Sequence, residues 1–395
     1  MINDLINNKQ IEIYLQPIVS IKDKKIFAYE ALTRATDRHG EAVSPLYLFE
    51  QAKKERLSTE LDNYVRELAL LKFQKYYNED KSVLLFVNFE SSVIEGELSN
   101  DFISAVYKYN IATKNIVIEI KEDRIKNTHA LKKFIDLYRK HDFFIAIDDF
   151  GTGYSSFDRL EFIKPEIVKI DRSLVYNVHN NFINSEILSA ISNMCHQIGV
   201  LVLAEGVEDR DEVLSCIKKD IDIFQGFWFA KPAEDIDSSL ISDIKKSIKS
   251  VGLKHQSNVK EVMGKKKLLL ENSQDLTQQV ISILKVNGIE HMQKVDAVIA
   301  KTPKLQAIYI LDETNGIQIG KTVIDAEDKT LFKPTHSGHD HSLREYYFIA
   351  KDSARGDYLS KKYISKASGN MCRTYSAKVQ IDSIHYIVCF DILDH

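Results

Sequence analysis

FFIAIDDFGTGYSS, residues 143–156, decides the fold. Five apolar residues run straight into two aspartates, and two glycines follow in a short loop. Carboxylates at the end of an apolar strand are costly unless that end opens onto a wet pocket. The same layout recurs along the chain. FAYEALTR (27–34) carries Glu30, VLLFVN (83–88) ends in Asn88, and IVIEI (116–120) carries Glu119. EIVKI (166–170) carries Lys169, VLVLAE (200–205) ends in Glu205, and IDIFQGF (221–227) carries Gln225. A closed (β/α)8 barrel gathers such strand ends into one pocket at its carboxyl face.

Amphipathic stretches lie between the strands. STELDNYVRELALLKFQKYY (58–77) has apolar residues at helical spacing, with Ser58 or Thr59 as its cap. HALKKFIDLYRKH (129–141) and NSEILSAISNMCHQIG (184–199) repeat the design, the latter stopped by Gly199. Alternation repeated about eight times predicts an α/β chain with a TIM-like barrel over residues 1–240. The link from Pro17 to Phe27 is too short for a helical crossover. The first strand, IEIYLQP (11–17), is therefore expected to run antiparallel to its neighbour.

Residues 241–300 read as a charged connecting helix or helix pair, interrupted by Gly252 and Gly264. Residues 301–395 read as a small α+β domain. Asn315-Gly316 marks a hairpin, SLREYYFIAK (342–351) a short helix, and Gly369-Asn370 a second turn.

The 395 residues hold 53 basic and 57 acidic side chains, a formal net charge of −4. No broad basic stripe is present, which argues against duplex nucleic acid as a partner. The four cysteines form no CxxC pair and are expected to be buried, reduced thiols. No apolar run approaches the roughly 20 residues of a membrane helix, and the first residues lack a signal layout. A cytoplasmic protein without direct membrane insertion is the expectation.

Glu30, Asn88, Glu119, Asp148 and Asp149 supply four carboxylates and one amide from four strands. Crowded carboxylates repel unless cations sit among them. Oxygen-only donors suit Mg²⁺ or Mn²⁺ better than zinc. Two such ions can bridge an attacking water and a scissile phosphate. Glu205 is placed to accept the water's proton, or to act as a further ligand, and Lys169 to hold a phosphate oxygen or the water. Gly151 and Gly153 predict a tight active-site loop after the aspartates.

These residues resemble the EAL family of cyclic di-GMP phosphodiesterases over about residues 5–235. EALTR (30–34), EIKE (119–122), DDFGTGYSS (148–156), KID (169–171), AEGVE (204–208) and QGFWFAKP (225–232) follow in family order. The resemblance implies metal ligation by Glu30, Asn88, Glu119, Asp148 and Asp149, two ions per site. It implies Lys169 and Glu205 at the hydrolytic water, with Glu205 the general base. Leu32 and Arg34 would contact cyclic di-GMP, Arg34 through phosphate, and Gln225 would complete the pocket. Glu122 would anchor the loop after Asp149, with Asp171 and Glu208 as supporting groups. The implied reaction opens one phosphodiester to give linear pGpG, and the implied assembly pairs two barrels. A family member that binds cyclic di-GMP without turnover is the alternative. One departure stands out: Lys121 replaces the usual Thr, which alters local charge without removing a catalytic group.

Beyond the barrel, the chain more loosely resembles the PAS/Cache-like sensor domain of YkuI-type proteins. Arg344, Tyr346, Tyr347 and Tyr363 would line a pocket for a small polar ligand. HSGHDH (336–341) has metal-like histidine spacing but no clear fourth ligand, and reads as a polar loop.

Overall fold

A computed structural model describes residues 2–121, 125, 127–152, 157–324 and 333–393. The chain divides into two units, Met1–Asn258 and Val259–His395.

The first unit is the barrel. Its strands are β1 (Ile11–Ser20), β2 (Lys25–Thr36), the two-residue β3 (Ala42–Val43), β4 (Leu84–Asn88), β5 (Ile116–Lys121), β6 (Phe144–Phe150), β7 (Ile167–Ile170), β8 (Leu201–Ala204) and β9 (Ile223–Phe224). Strands β2 and β4–β9 run parallel in sequence order, with β1 closing the ring between β9 and β2. β1 is antiparallel to both neighbours, as the short first link demands. β3 is a spur on β2 outside the ring of eight.

Side-chain alternation builds the interior. Ile18, Ala28, Leu84, Phe86, Val117, Ala146, Ile167, Leu203 and Ile223 come from all eight ring strands and form one buried plug. Alternate residues of a strand share a face. The next inward positions toward the mouth are therefore Gln16, Glu30, Asn88, Glu119, Asp148, Lys169, Glu205 and Gln225. A greasy floor and a polar layer above it thus follow from one period-two pattern. The outward positions, such as Ile118, Ile147 and Val168, pack in a second core that includes helix residues such as Phe73 and Phe134. Because both faces are buried, the strands read as nearly continuous apolar runs.

Three local expectations are corrected. Glu30, Glu119 and Asp148 lie within their strands, with only Asn88, Glu205 and Gln225 at or just past a strand end. The helix Ser58–Glu79 has Leu57 at its cap and no side-chain capping bond, so neither Ser58 nor Thr59 caps it. Gly252 and Gly264 do not interrupt the helix Ser238–Asn287, which runs unbroken for 50 residues. Each glycine costs about 1 kcal/mol relative to alanine. Anchored segments on either side offset this: Ile244, Ile248 and Val251 are buried in the first unit, and Val280 and Leu284 in the second.

The second unit is a small α+β domain. Its antiparallel sheet comprises β10 (Leu305–Asp312), β11 (Gln318–Ile324), β12 (Asp357–Leu359), β13 (Tyr363–Ile364), β14 (Met371–Ile381) and β15 (Ile384–Leu393). The order is β11-β10-β15-β14-β12, with β13 also on β14. The Asn315-Gly316 turn joins β10 to β11, and Gly316 has φ +75°. The helix Glu345–Asp352 covers one face through Tyr346, Tyr347 and Ala350. All four cysteines are buried. Among the described residues no helix is long and apolar enough to cross a membrane.

Candidate active site

Lys169 is the centre of the barrel mouth. Its side chain is 1% exposed, and its ammonium faces Glu30 at 3.6 Å, Asp148 at 3.1 Å, Glu205 at 2.6 Å, and Glu119 in close contact. Burial opposes a charge on Lys169, but the Asp148, Glu119, Glu205 and Glu30 carboxylates outweigh it and hold the amine protonated well above its usual range.

The strands fix this cluster by register. Glu30 pairs across β1 with Gln16, and Asn88 lies beside Glu119 in the parallel β4–β5 ladder. The Asn88 amide donates to Glu30 at 3.1 Å and to Glu119 at 2.8 Å. The Gln225 amide donates to Gln16 at 3.0 Å and to Glu30. Gly226 lets this corner close: a Cβ there would lie 2.1 Å from the Val207 carbonyl oxygen.

Two adjacent aspartates in a regular strand would point to opposite faces. Asp149 instead has φ +58°, and the β6–β7 register shifts between Ile147 and Phe150. This bulge turns Asp149 toward the mouth beside Asp148. Oxygens of Asp148, Asp149 and Glu205 then lie within 4.8 Å of one another.

The carboxylates differ in charge preference. Burial, then the Glu30 charge, pushes Glu119 well above the usual carboxylate range despite Lys169. Burial also lifts Glu205, to about 8, with Lys169 opposing and Asp148 and Glu30 adding. Asp148 feels the same burial, but the Lys169 and Lys121 ammoniums outweigh it and hold the group low.

The donor set fits hard divalent cations. Buried Glu119 Oε1 and Asp148 Oδ1 both turn to the single Lys169 ammonium. Such oxygens would gain from direct ligation. Glu30, Asn88, Glu119 and Asp148 would hold one ion, and Asp148, Asp149 and Glu205 a second.

Two adjoining cavities open above the cluster, of about 640 Å³ and 330 Å³. Glu30, Leu32, Lys121 and Asp148 line both. Arg34 lines the larger, donating to the Thr33 carbonyl at 2.8 Å, with its guanidinium over the Tyr14 ring. Gln225, Glu205 and Glu208 line the smaller, with Arg172 bound to Glu208 at 2.7 Å. Asp171 caps the short helix Arg172–Val175 by accepting from the Ser173 amide, so its contact is local. Glu122, Gly153 and the rest of the loop through 156 fall outside the described residues.

Sequence reasoning missed Gln16, Arg172 and the placement of Lys121. Gln16 was legible as the inward residue two positions before Ile18 on an antiparallel strand. Lys121 was legible as the inward residue two positions after Glu119.

In the second unit, Arg344, Tyr346 and Tyr363 line a cavity of about 140 Å³ with Tyr309, His341 and Asp391. Tyr347 is not among them; its hydroxyl donates to the Glu313 carbonyl at 2.9 Å. His341 of the HSGHDH stretch is buried, bonded to the Tyr346 hydroxyl at 2.8 Å and to Gln318 at 3.0 Å.

Residues 1–232 match the EAL domain family model. The chain is 23% identical to the uncharacterized EAL-domain containing protein YkuI of Bacillus subtilis, covering 92% of this chain and 90% of YkuI. The YkuI crystal structure, in complex with substrate c-di-GMP and calcium, superposes with a TM-score of 0.83 at 22% identity, over 100% of this chain and 99% of that one. It supports the fold. The probable cyclic di-GMP phosphodiesterase PdeG of Escherichia coli is 26% identical over 62% of this chain, which spans 49% of PdeG. A manganese/cy-diGMP complex of Klebsiella pneumoniae BlrP1 matches 57% of this chain and 56% of that one, with a TM-score of 0.52 at 26% identity. With the family model covering more than half of its length, the chain belongs to the EAL-domain family.

Proposed function

We propose that the barrel hydrolyses one phosphodiester of cyclic di-GMP to linear pGpG, assisted by two Mg²⁺ or Mn²⁺ ions. The observation that carries this reading is the convergence of Glu30, Asn88, Glu119, Asp148, Asp149 and Glu205 at one barrel mouth, around a buried lysine. The names of the family relatives, several called cyclic di-GMP phosphodiesterases, supply the substrate class. When bound, the ions would neutralise phosphate charge and lower the pKa of the attacking water.

The chain's own groups have separate tasks. Glu205 takes the water's proton on a carboxylate oxygen. Lys169, 2.6 Å from that carboxylate, positions the water and steadies the charge that forms. Arg34 meets a phosphate in the larger cavity through its guanidinium. Leu32, lining both cavities, packs against the dinucleotide between its halves. Gln225 keeps Glu30 oriented.

The test mixes the purified full chain with Mg²⁺ or Mn²⁺ and cyclic di-GMP and follows pGpG by chromatography. Product that disappears with EDTA is expected. Binding without product would replace the enzyme by a receptor.

The same reading gives the C-terminal unit a regulatory role through a small polar ligand beside Arg344, Tyr346 and Tyr363; its support is the 140 Å³ cavity. A thermal-shift screen of small organic acids against the full chain and Arg344→Ala checks it. A stabilising hit that survives the substitution would contradict the assignment.

A further inference from the structure

Lys121 is the last residue of β5, and its register partner across the parallel ladder is Asp148. Register partners share a face, so the sheet itself sends the Lys121 side chain over the β6 aspartates. Its ammonium lies 2.9 Å from Asp149 Oδ2 and 3.7 Å from Asp148 Oδ2. Asp148 thus stands between two lysines, with Oδ1 toward Lys169 and Oδ2 toward Lys121. Among the described residues, Asp148, Asp149 and Glu205 form the one carboxylate trio spaced for a metal ion. Lys121 holds two of its members, and Lys169 holds the third.

We propose that Lys121 is a built-in counter-ion of the outer cation position, formed by Asp148, Asp149 and Glu205. It keeps the two aspartates paired when no divalent ion is present, and it lowers the affinity of the outer position for a divalent ion. This rests on the two-ion reading above.

The physical reason is competition. A divalent ion entering between Asp148 and Asp149 must push the ammonium aside or share the carboxylates with it, and like charges repel at such short range. Lys121 is about one-third exposed and has a flexible four-carbon stem, so it swings outward and does not block the position. The effect is therefore on affinity. The inner position, at Glu30, Asn88, Glu119 and Asp148, shares only Asp148 with Lys121 and is affected far less. A threonine at position 121 would carry no charge to compete.

The experiment titrates Mn²⁺ into the metal-free full chain, counting free ions by electron paramagnetic resonance. Wild type, Lys121→Met, Lys121→Thr and Lys121→Arg are compared, each checked for folding. Wild type should bind two ions. Lys121→Met and Lys121→Thr should tighten one site by about tenfold and leave the other unchanged. Lys121→Arg should keep the wild-type pattern. Melting temperature gives a second readout: Mn²⁺ should raise that of Lys121→Met more than that of wild type. Unchanged affinity of both sites in both neutral variants would overturn the proposal while leaving the two-ion reading intact. Failure of wild type and all variants to bind Mn²⁺ would overturn both.

Discussion

Two sites of buried carboxylates, one in each unit, are treated in opposite ways. In the C-terminal unit, Asp391 is 2% exposed and accepts from Thr374 at 2.7 Å, Ser365 at 2.5 Å, Tyr309 at 3.3 Å and Tyr363 at 3.4 Å. Four neutral hydroxyls surround it, and burial still raises its pKa. At the barrel mouth, Glu119 is fully buried among Glu30, Asp148 and Lys169, and its Oε1 meets the Lys169 ammonium. The first arrangement is complete within the chain. The second sets five carboxylates against two ammonium groups and the Asn88 and Gln225 amides. A satisfied buried acid supports structure, whereas a cluster short of donors asks for cations from outside.

The largest test of this contrast is catalytic. Glu205→Gln should lower pGpG formation by roughly 10²–10⁴-fold. Glu30→Ala should remove turnover, and an unchanged rate in either variant would refute the role assigned to that residue.

Next in size is the central lysine. Lys169→Met strips the cluster of its buried counter-charge and should cost about 3–5 kcal/mol in the metal-free protein. Urea unfolding with and without Mn²⁺ checks it, and Mn²⁺ should recover much of the loss. A deficit indifferent to Mn²⁺ would mean that the acids do not gather around ions. Asp391→Asn should cost about 2–3 kcal/mol by placing an amide donor among hydroxyl donors. That cost should be the same with or without metal; dependence on Mn²⁺ would erase the distinction between the two regions.

The smallest effect is a pH dependence confined to the C-terminal unit. Burial, helped by His339 and Arg344, holds His341 down to about 4, against 6.5 for an ordinary histidine. The unfolded chain therefore binds the proton more readily. The stability contributed by neutral His341 is complete above about pH 6.5 and is lost as pH falls toward 4. Between pH 7 and 5 the loss should be about 2 kcal/mol. Melting curves of wild type and His341→Asn should differ in pH slope across that interval; parallel slopes would contradict the assignment.

The barrel was legible because its strands carry the pattern on their surface. Apolar runs with one inward polar residue each, from Glu30 to Gln225, leave few other ways to bury both faces. What stayed hidden depends on neighbours in space. Lys121 reads as an inward residue, but the ladder register that sets it over Asp148 is stated by no local sequence. Asp149 reaches the mouth through a left-handed backbone, a conformation that its sequence permits without announcing. The helix Ser238–Asn287 carries its glycines because packing on either side outweighs their cost. The role of Ser58 and Thr59 failed for a similar reason: helix-capping residues were present, yet the helix began at Ser58 itself.

Manganese anomalous scattering from a crystal of the full chain is the most direct test of the central idea. The account predicts ions held by Glu30, Asn88, Glu119 and Asp148 and, at high manganese, by Asp148, Asp149 and Glu205, with Lys121 turned outward. A mouth without manganese, with Lys169 and Lys121 still locked onto the acids, would contradict it.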